Sequence, residues 1–236
     1  MGLQPFTSGD FDLFTPEKTK DPQWDGARLV LKRKLQAWGE EAERRIRRAG
    51  GGPFQVQTSL HRPYKFNRYR VDSQRAILTP PPERKRQVRE LLGEAFRAET
   101  GSGVIQMHLA LTIFRDRVET ALRTPPQAWW HGLAWGEALQ AKPGDLLSLL
   151  KGLPEEFLLE VQGRREGLDC GTLEERALRR ALGGYRPGEH WVTLRRTHPR
   201  EGLLEGPEDQ EELLLEDLVL LAPIHEFLES YTWRGR

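Results

Sequence analysis

Two short stretches of this sequence place amide and imidazole side chains at alternate positions, as a β-strand does. Gln55 and Gln57 flank Val56, and Gln106 and His108 have the same spacing. Successive side chains of a strand point to opposite faces, so each pair lies on one face. If the two strands are in register in one sheet, both pairs share that face. They would then bind a small polar ligand, with His108 able to act as an acid or a base near neutral pH.

A basic loop, residues 61–70, follows the first of these strands. It reads HRPYKFNRYR and mixes cations with aromatic and amide side chains. Guanidinium groups bind phosphates and aromatic rings stack on bases, so this composition is typical of ligand or nucleic-acid recognition. The alternative is a solvated loop whose arginines pair with acidic helices. The loop side chains that we assign to ligand binding, beside the residues on the two strands, are His61, Arg62, Tyr64, Arg68 and Arg70.

The sequence contains no recognisable metal or cofactor motif. Its six histidines never occur three or four residues apart, and Cys170 is the single cysteine. Asp72, Glu83 and Lys85 have the spacing of some metal-dependent nucleases. The last two, however, follow three prolines and open a predicted helix, where side chains two residues apart diverge. We therefore predict no metal and no cofactor, assign no catalytic residue, and leave enzymatic activity open.

The overall charge gives no reason to expect a nucleic-acid or membrane partner. The 236 residues include 36 lysines and arginines against 35 acidic residues, so any electrostatic attraction must be local. No run approaches the ~18 apolar residues of a membrane-spanning helix, and the first residues lack the pattern of a signal peptide. A single cysteine favours a reducing compartment. The sequence thus predicts a soluble cytoplasmic protein without a membrane partner.

Hydrophobic periodicity predicts alternating helices and strands in the first half of the chain. Apolar residues recur every three or four positions from Asp25 until the glycines at 50–52. Two strands should flank the basic loop, and a β-hairpin should follow the second helix. The predicted elements are a helix at 25–49, strands at 54–60 and 76–79, a helix at 83–100, and hairpin strands at 105–113 and 117–122.

The second half is predicted to contain shorter elements. Trp129, Trp130 and Trp135 form an aromatic segment that favours core packing over a ligand cage. Pro223 should break the Leu-rich C-terminal stretch into two helical pieces. The predicted elements are helices at 144–151 and 173–182, strands at 157–162 and 190–196, and the pieces at 208–221 and 224–231.

These elements predict one α+β domain over residues 1–236, with an antiparallel sheet and helices covering one face. Residues 1–24 should form a packed N-terminal arm, and residues 208–236 a C-terminal helical segment. A sheet covered on one side leaves its polar face available for a ligand.

The N-terminal half resembles the YktB-like bacterial proteins of unknown function. The opening Phe6-Thr7-x-x-Asp10-Phe11-Asp12-x-Phe14, and a long helix with Leu35 and Gly39-Glu40, carry the likeness. The predicted hairpin at 106–124 is similar to the central strands of that group, so the likeness covers about the first 125 residues. The resemblance implies a bacterial protein with a compact α+β fold, and it points to no known activity.

The leading hypothesis is a protein that binds a small polar or anionic ligand on the sheet face and the basic loop. The first alternative is a nucleic-acid-binding or nuclease-like protein that uses the same loop. The second is a structural or interaction module, whose Leu-rich C-terminal segment docks a protein partner or a second copy.

Overall fold

Seven antiparallel strands form one sheet in this computed structural model, which describes residues 3–92 and 106–232. The strands are β1 (Gln55–Thr58), β2 (Gln74–Thr79), β3 (His108–Ile113), β4 (Arg117–Thr124), β5 (Leu158–Val161), β6 (Leu168–Asp169) and β7 (Val192–Pro199). Their spatial order is β1-β2-β3-β4-β7-β5-β6. The last long strand therefore inserts between β4 and β5, and the predicted antiparallel α+β fold is confirmed.

Eight α-helices accompany the sheet in the described residues, and none of them is long and apolar enough to cross a membrane. The second helix packs on β1 and β2, and the last packs on β3 and β4. The helices are α1 (Ser8–Phe11), α2 (Asp25–Arg48), α3 (Pro82–Leu92), α4 (Trp129–Ala141), α5 (Pro143–Lys151), α6 (Glu175–Gly183), α7 (Arg200–Glu205) and α8 (Gln210–Thr232).

Helix α2 follows the predicted periodicity, because its apolar stripe is buried. Almost no surface is exposed at Leu31, Leu35 and Trp38, or at Ala42 and Ile46, which continue the stripe. Gly39 allows the close approach of this helix to the sheet, since a Cβ there would lie 2.6 Å from the Val56 side chain. Gly50, with φ of 90°, ends the helix as predicted.

Strand β3 is buried on both faces, whereas the sequence predicted one apolar and one open polar face. Leu109, Leu111 and Ile113 point to the helices, as expected from their alternation. His108 and Thr112 point the other way and are also buried. The predicted start of β3 at residue 105, and the predicted continuation of α3 to residue 100, lie outside the described residues.

Helix α8 is continuous, so the predicted break at Pro223 is wrong. A proline removes one backbone hydrogen bond of the preceding turn. Pro223 is exposed, where water can bond the carbonyl that loses its partner, while Ala222 and Ile224 on either side are buried. Four leucines of this helix, Leu214, Leu215, Leu218 and Leu221, are completely buried in the core, and a partner protein has no access to them.

The aromatic segment is part of helix α4, which the sequence did not predict. Trp130 and Trp135 are buried, and the Trp135 indole donates a hydrogen bond to Thr124 Oγ1 at 3.0 Å. Core packing, the favoured interpretation of these aromatics, fits their position.

The N-terminal arm packs on the body of the protein. Phe6, Phe11 and Phe14 are buried. The Gln210 side chain accepts a hydrogen bond from the Phe6 backbone N–H at 2.7 Å and donates one to its carbonyl at 3.1 Å. Lys34 of α2 pairs with Asp10 at 2.6 Å. The arm is thus fixed both by its aromatics and by polar contacts to the first and last long helices.

Candidate functional site

The sheet register places Gln55, Gln57 and His108 on one face, but not side by side, and Gln106 precedes the start of β3. Gln57 lies opposite Ile77 of β2, and Ile77 lies opposite Ala110 of β3. Strand β2 therefore separates the two pairs by two strand spacings, or roughly 10 Å. The amides of β1 and the imidazole of β3 do not form a joint site.

The two pairs also differ in exposure. Gln55 and Gln57 are exposed, and the Gln57 amide donates to the Gln55 carbonyl oxygen at 3.3 Å. Gln106 and His108 are each only 3% exposed. The glutamines of β1 lie on an edge strand in contact with water, whereas Gln106 and His108 belong to the interior.

The basic loop lies at the end of the strands opposite to His108. Ser59, just before the loop, bonds the backbone of Arg75, and Arg75 lies opposite Thr112, four residues from His108. At ~3.4 Å per residue, this separates the start of the loop from His108 by about 14 Å. The loop therefore begins beside Arg75, at the far end of the sheet from His108.

Within the loop, four of the five predicted side chains reach solvent. Arg62, Tyr64, Arg68 and Arg70 are exposed, while His61 is half-buried and burial lowers its pKa. The alternative prediction was that the loop arginines pair with acidic helices, and none of them does so in the part of the chain that the structure describes. Arg70 instead contacts Asp72, just beyond the loop, at 2.9 Å.

Two polar side chains shape the loop. Arg28 is completely buried and donates hydrogen bonds to the backbone carbonyls of His61, Lys18 and Asp21 and to the Asp25 carboxylate, at 2.7–2.9 Å. Asn67 accepts from the Tyr64 backbone N–H and donates to the Arg62 carbonyl. One buried guanidinium group thus joins the loop and residues 18–21 of the N-terminal arm to helix α2.

An open pocket of about 480 Å³ lies on the face of the sheet that His108 shares, and we call it the arginine pocket. This volume is within the range of small-molecule sites. Its charged lining comes from β2, β4, β5 and β7, where these residues alternate with core positions. The charged residues are Arg75, Arg117, Arg123, Arg195, Glu119 and Glu160.

Three of the four arginines are paired. Glu119 accepts from Arg117 and from Arg123, each at 2.8 Å, and is nearly buried between them. Arg195 binds Glu160 through two nitrogens, at 2.8 and 2.9 Å. These pairs fix the arginine side chains in place while leaving some of their N–H groups unused.

Arg75 is the exception. No side-chain hydrogen bond or ion pair joins its guanidinium group to another group in the part of the chain that the structure describes. Burial lowers its pKa, and the nearby positive charge of Arg123 lowers it further. An arginine in this position remains charged at neutral pH. The arginine pocket therefore contains a positive charge without a direct ion pair among the described residues, and Glu119 acts on it only from a distance, raising its pKa in part.

His108 lines the same pocket as a neutral group. Burial lowers its pKa to about 3, so the prediction that it acts as an acid or base near neutral pH is wrong. Its Nδ1 lies 2.9 Å from the Gln106 carbonyl oxygen and must carry the proton. Nε2 is then a hydrogen-bond acceptor, and it has no partner among the described residues.

A second cavity, of about 390 Å³, is less suited to a polar ligand. It lies between Phe54, Pro80 and helix α8, and its lining is mainly apolar. Its polar groups bond one another, since Glu226 accepts from the Gly52 N–H and Arg84 lies 3.8 Å from Glu229. The excess positive charge distinguishes the arginine pocket from it.

The nuclease-like spacing does not form a metal site. Asp72 precedes the six-residue strand β2 and Glu83 follows it, so the two carboxylates lie at opposite ends of that strand. Within residues 3–92 and 106–232, no three histidine, cysteine or acidic side chains come together to hold a metal ion.

Sequence reasoning did not single out the arginine pocket. The available signal was the alternation of Arg117, Glu119 and Arg123 in β4, with Arg195 and Glu160 at matching positions of strands far apart in the chain. Only the insertion of β7 between β4 and β5 brings these positions together.

The fold and the pocket define a single-domain α+β protein with an arginine-rich cavity on an antiparallel sheet. No protein-family model matches this sequence, and no curated protein matches it either. The resemblance of the N-terminal half to YktB-like proteins stays a prediction.

Proposed function

We propose that this protein binds a small anionic ligand in the arginine pocket. The observation that carries the proposal is the guanidinium group of Arg75, which has no direct ion pair in the described part of the chain and lies near Arg123, in a cavity of ligand size. A partly buried positive charge without a direct partner costs free energy in the empty protein. An anion bound between these arginines would recover that cost.

The charges of the whole pocket support an anionic ligand. The lining has four arginines, two glutamates and neutral His108, so it carries an excess of two positive charges. Asp116, outside the lining, pairs with Arg117 at 2.8 Å and offsets part of this excess. Arg123 Nε is buried and lacks a hydrogen-bond partner in the described residues. Oxyanions accept hydrogen bonds from guanidinium groups in a geometry that neutral ligands do not match.

Replacing Arg75 by glutamine tests this proposal. We expect inorganic phosphate, sulfate or citrate to raise the melting temperature of the native protein, and the Arg75→Gln variant to lose most of that increase. The loss of a hydrogen bond to a charged group corresponds to about 1.5–3 kcal/mol, or an affinity decrease of roughly 10- to 100-fold. Isothermal titration calorimetry with phosphate measures the affinity directly.

Arg164→Gln is the matched control, because it removes the same charge from an exposed residue that does not line the pocket. It should leave the phosphate response unchanged. Equal responses of the native protein and Arg75→Gln would contradict the proposal, as would the absence of any response to the three anions in the native protein.

The basic loop supports a second candidate function, binding of single-stranded nucleic acid. Tyr69 is 64% exposed at the tip of the loop. Arg62 and Arg68 are exposed on either side, and neither forms an ion pair within the described residues. An exposed aromatic ring between unpaired cations combines base stacking with phosphate contacts.

A fluorescence-anisotropy titration with single-stranded RNA at 50 and 200 mM salt tests this second candidate. We expect affinity to fall steeply with salt, since the cations release counter-ions. The double variant Arg68→Gln/Tyr69→Leu should bind at least ~10-fold more weakly, through loss of one stacked base and one phosphate contact. No binding by the native protein at 50 mM salt would remove this candidate.

A cytoplasmic location is the prediction that accompanies both functions. The single cysteine, Cys170, is completely buried, and burial raises the pKa of its thiol to about 12. Such a thiol is an unreactive core group, and this is compatible with a reducing compartment.

A further inference from the structure

The arginine pocket offers a hydrogen-bond acceptor as well as cations. His108 lies opposite Arg123 in the pairing of β3 with β4, so its ring is next to the anion-binding groups. With the proton on Nδ1, its Nε2 requires a donor, and none is present in the described part of the chain. Phosphate and carboxylate oxygens without protons cannot supply one. A ligand hydroxyl group can.

The floor of the pocket leaves room for a ligand between the arginines. Arg75 of β2 and Arg123 of β4 lie on either side of β3. On the same face of the sheet, Ala110 of β3 lies between them. Its neighbour on β4 is Ala121. Since these alanine side chains are short, the two guanidinium groups can extend over them. They lie close enough for the charge of Arg123 to lower the pKa of Arg75.

One end of the pocket is apolar and aromatic. Trp191, which is 37% exposed, lies at this end with Pro125 and Pro126. Its position is fixed, because its backbone N–H donates to Gln162 Oε1 at 3.1 Å and Val192 beside it pairs with Thr124. An indole face at the edge of a pocket is a flat apolar surface for a ring of the ligand.

Building on the proposed function, we infer that the ligand is a phosphorylated sugar. The excess positive charge of the pocket suits a phosphate monoester, which carries a charge of about −1.5 to −2 at neutral pH. Arg75 and Arg123 bind the phosphate oxygens, His108 Nε2 accepts from a sugar hydroxyl, and Trp191 packs on the ring. A simple carboxylate would leave the histidine acceptor without a donor.

Isothermal titration calorimetry of the full chain with three probes tests this inference. We expect ribose 5-phosphate to bind at least ~10-fold more tightly than inorganic phosphate, the contribution of one hydrogen bond and a ring contact. Ribose alone should bind too weakly to detect. Arg75→Gln should weaken binding of both phosphate compounds.

Two variants separate the sugar from the phosphate. Trp191→Ala removes a partly exposed side chain, and His108→Leu removes the acceptor while keeping an apolar interior. Each should bring the affinity for ribose 5-phosphate close to that for phosphate and leave the phosphate affinity unchanged. Because Trp191 lies at the rim, its variant should stay folded even if the His108 variant does not.

The outcomes distinguish the inference from the function on which it rests. Equal affinities for phosphate and ribose 5-phosphate would overturn the sugar inference and leave the anion site standing. Tighter binding of ribose 5-phosphate that neither variant changes would also overturn it. If neither phosphate compound binds, both the inference and the proposed function fail.

Discussion

At pH 5 the free energy of unfolding should be roughly 6 kcal/mol lower than at pH 8, because three buried histidines must stay neutral in the folded protein. His108, His131 and His225 are at most 3% exposed. Burial lowers their pKa values to about 3, about 3 and about 4. A decrease of this size is comparable with the whole stability of a typical domain, about 5–15 kcal/mol.

The sign follows from the proton count. The folded-state pKa values lie below the value of 6.5 for a free histidine, so the unfolded chain binds more protons between pH 6.5 and about 3. The stabilisation is therefore fully present above pH 6.5 and is lost as the pH falls. Urea unfolding at pH 8, 7, 6 and 5 measures it, and a stability that stays constant down to pH 5 would contradict the prediction.

His131→Phe provides the control. Neither ring nitrogen of His131 has a hydrogen-bond partner in the described residues, so an apolar ring of similar shape loses no bond. The variant should reduce the difference between pH 8 and pH 5 by about one third, or ~2 kcal/mol. If the difference in the free energy of unfolding between pH 8 and pH 5 stayed the same, His131 would not contribute to the pH dependence of stability.

Arg28→Met should destabilise the protein by about 3–5 kcal/mol, the usual cost of removing one member of a buried charged cluster. Methionine retains the apolar stem but removes all four hydrogen bonds of the guanidinium group. Three backbone carbonyls and the Asp25 carboxylate then lose a donor. Urea unfolding at pH 7.5 measures the loss.

A second measurement reports on the loop itself. Trypsin should cleave after Arg68 or Arg70 faster in Arg28→Met than in the native protein, since the loop is no longer held to α2. Arg33→Met is the control, because Arg33 is an exposed residue of the same helix and should change stability by no more than about 0.5 kcal/mol. A similarly small change in Arg28→Met would show that this guanidinium group does not hold the loop.

The sequence predicted those elements whose pattern is local. The stripe of α2 and the apolar positions of β3 are visible within one window, and both are confirmed because these residues pack into the core. The predicted open polar face of β3 is wrong, because His108 and Thr112 are buried as well. Helix α4 was not predicted, since it is apolar around most of its circumference and has no periodic stripe. The helix break at Pro223 was predicted wrongly, because the effect of a proline on a helix depends on whether it faces solvent.

The candidate site depends on information that is not local. The charges of β4, β5 and β7 meet only through a strand order that no window of the sequence specifies. The buried state of His108 is likewise a property of both covered faces of β3, and it is burial that decides the protonation of this histidine. Alternation correctly placed Gln57 and His108 on one face, but it could not indicate that β2 lies between them.

The two hydrogen bonds between Gln210 and the backbone of Phe6 join positions that are 204 residues apart. The N-terminal arm can contact α2 early, through Lys34 and Asp10, but it can dock fully only after the start of α8 has been made. Until then Phe6 lacks part of its packing surface, and closing so long a loop is slow. Completion of this part of the core is consequently a late step of folding.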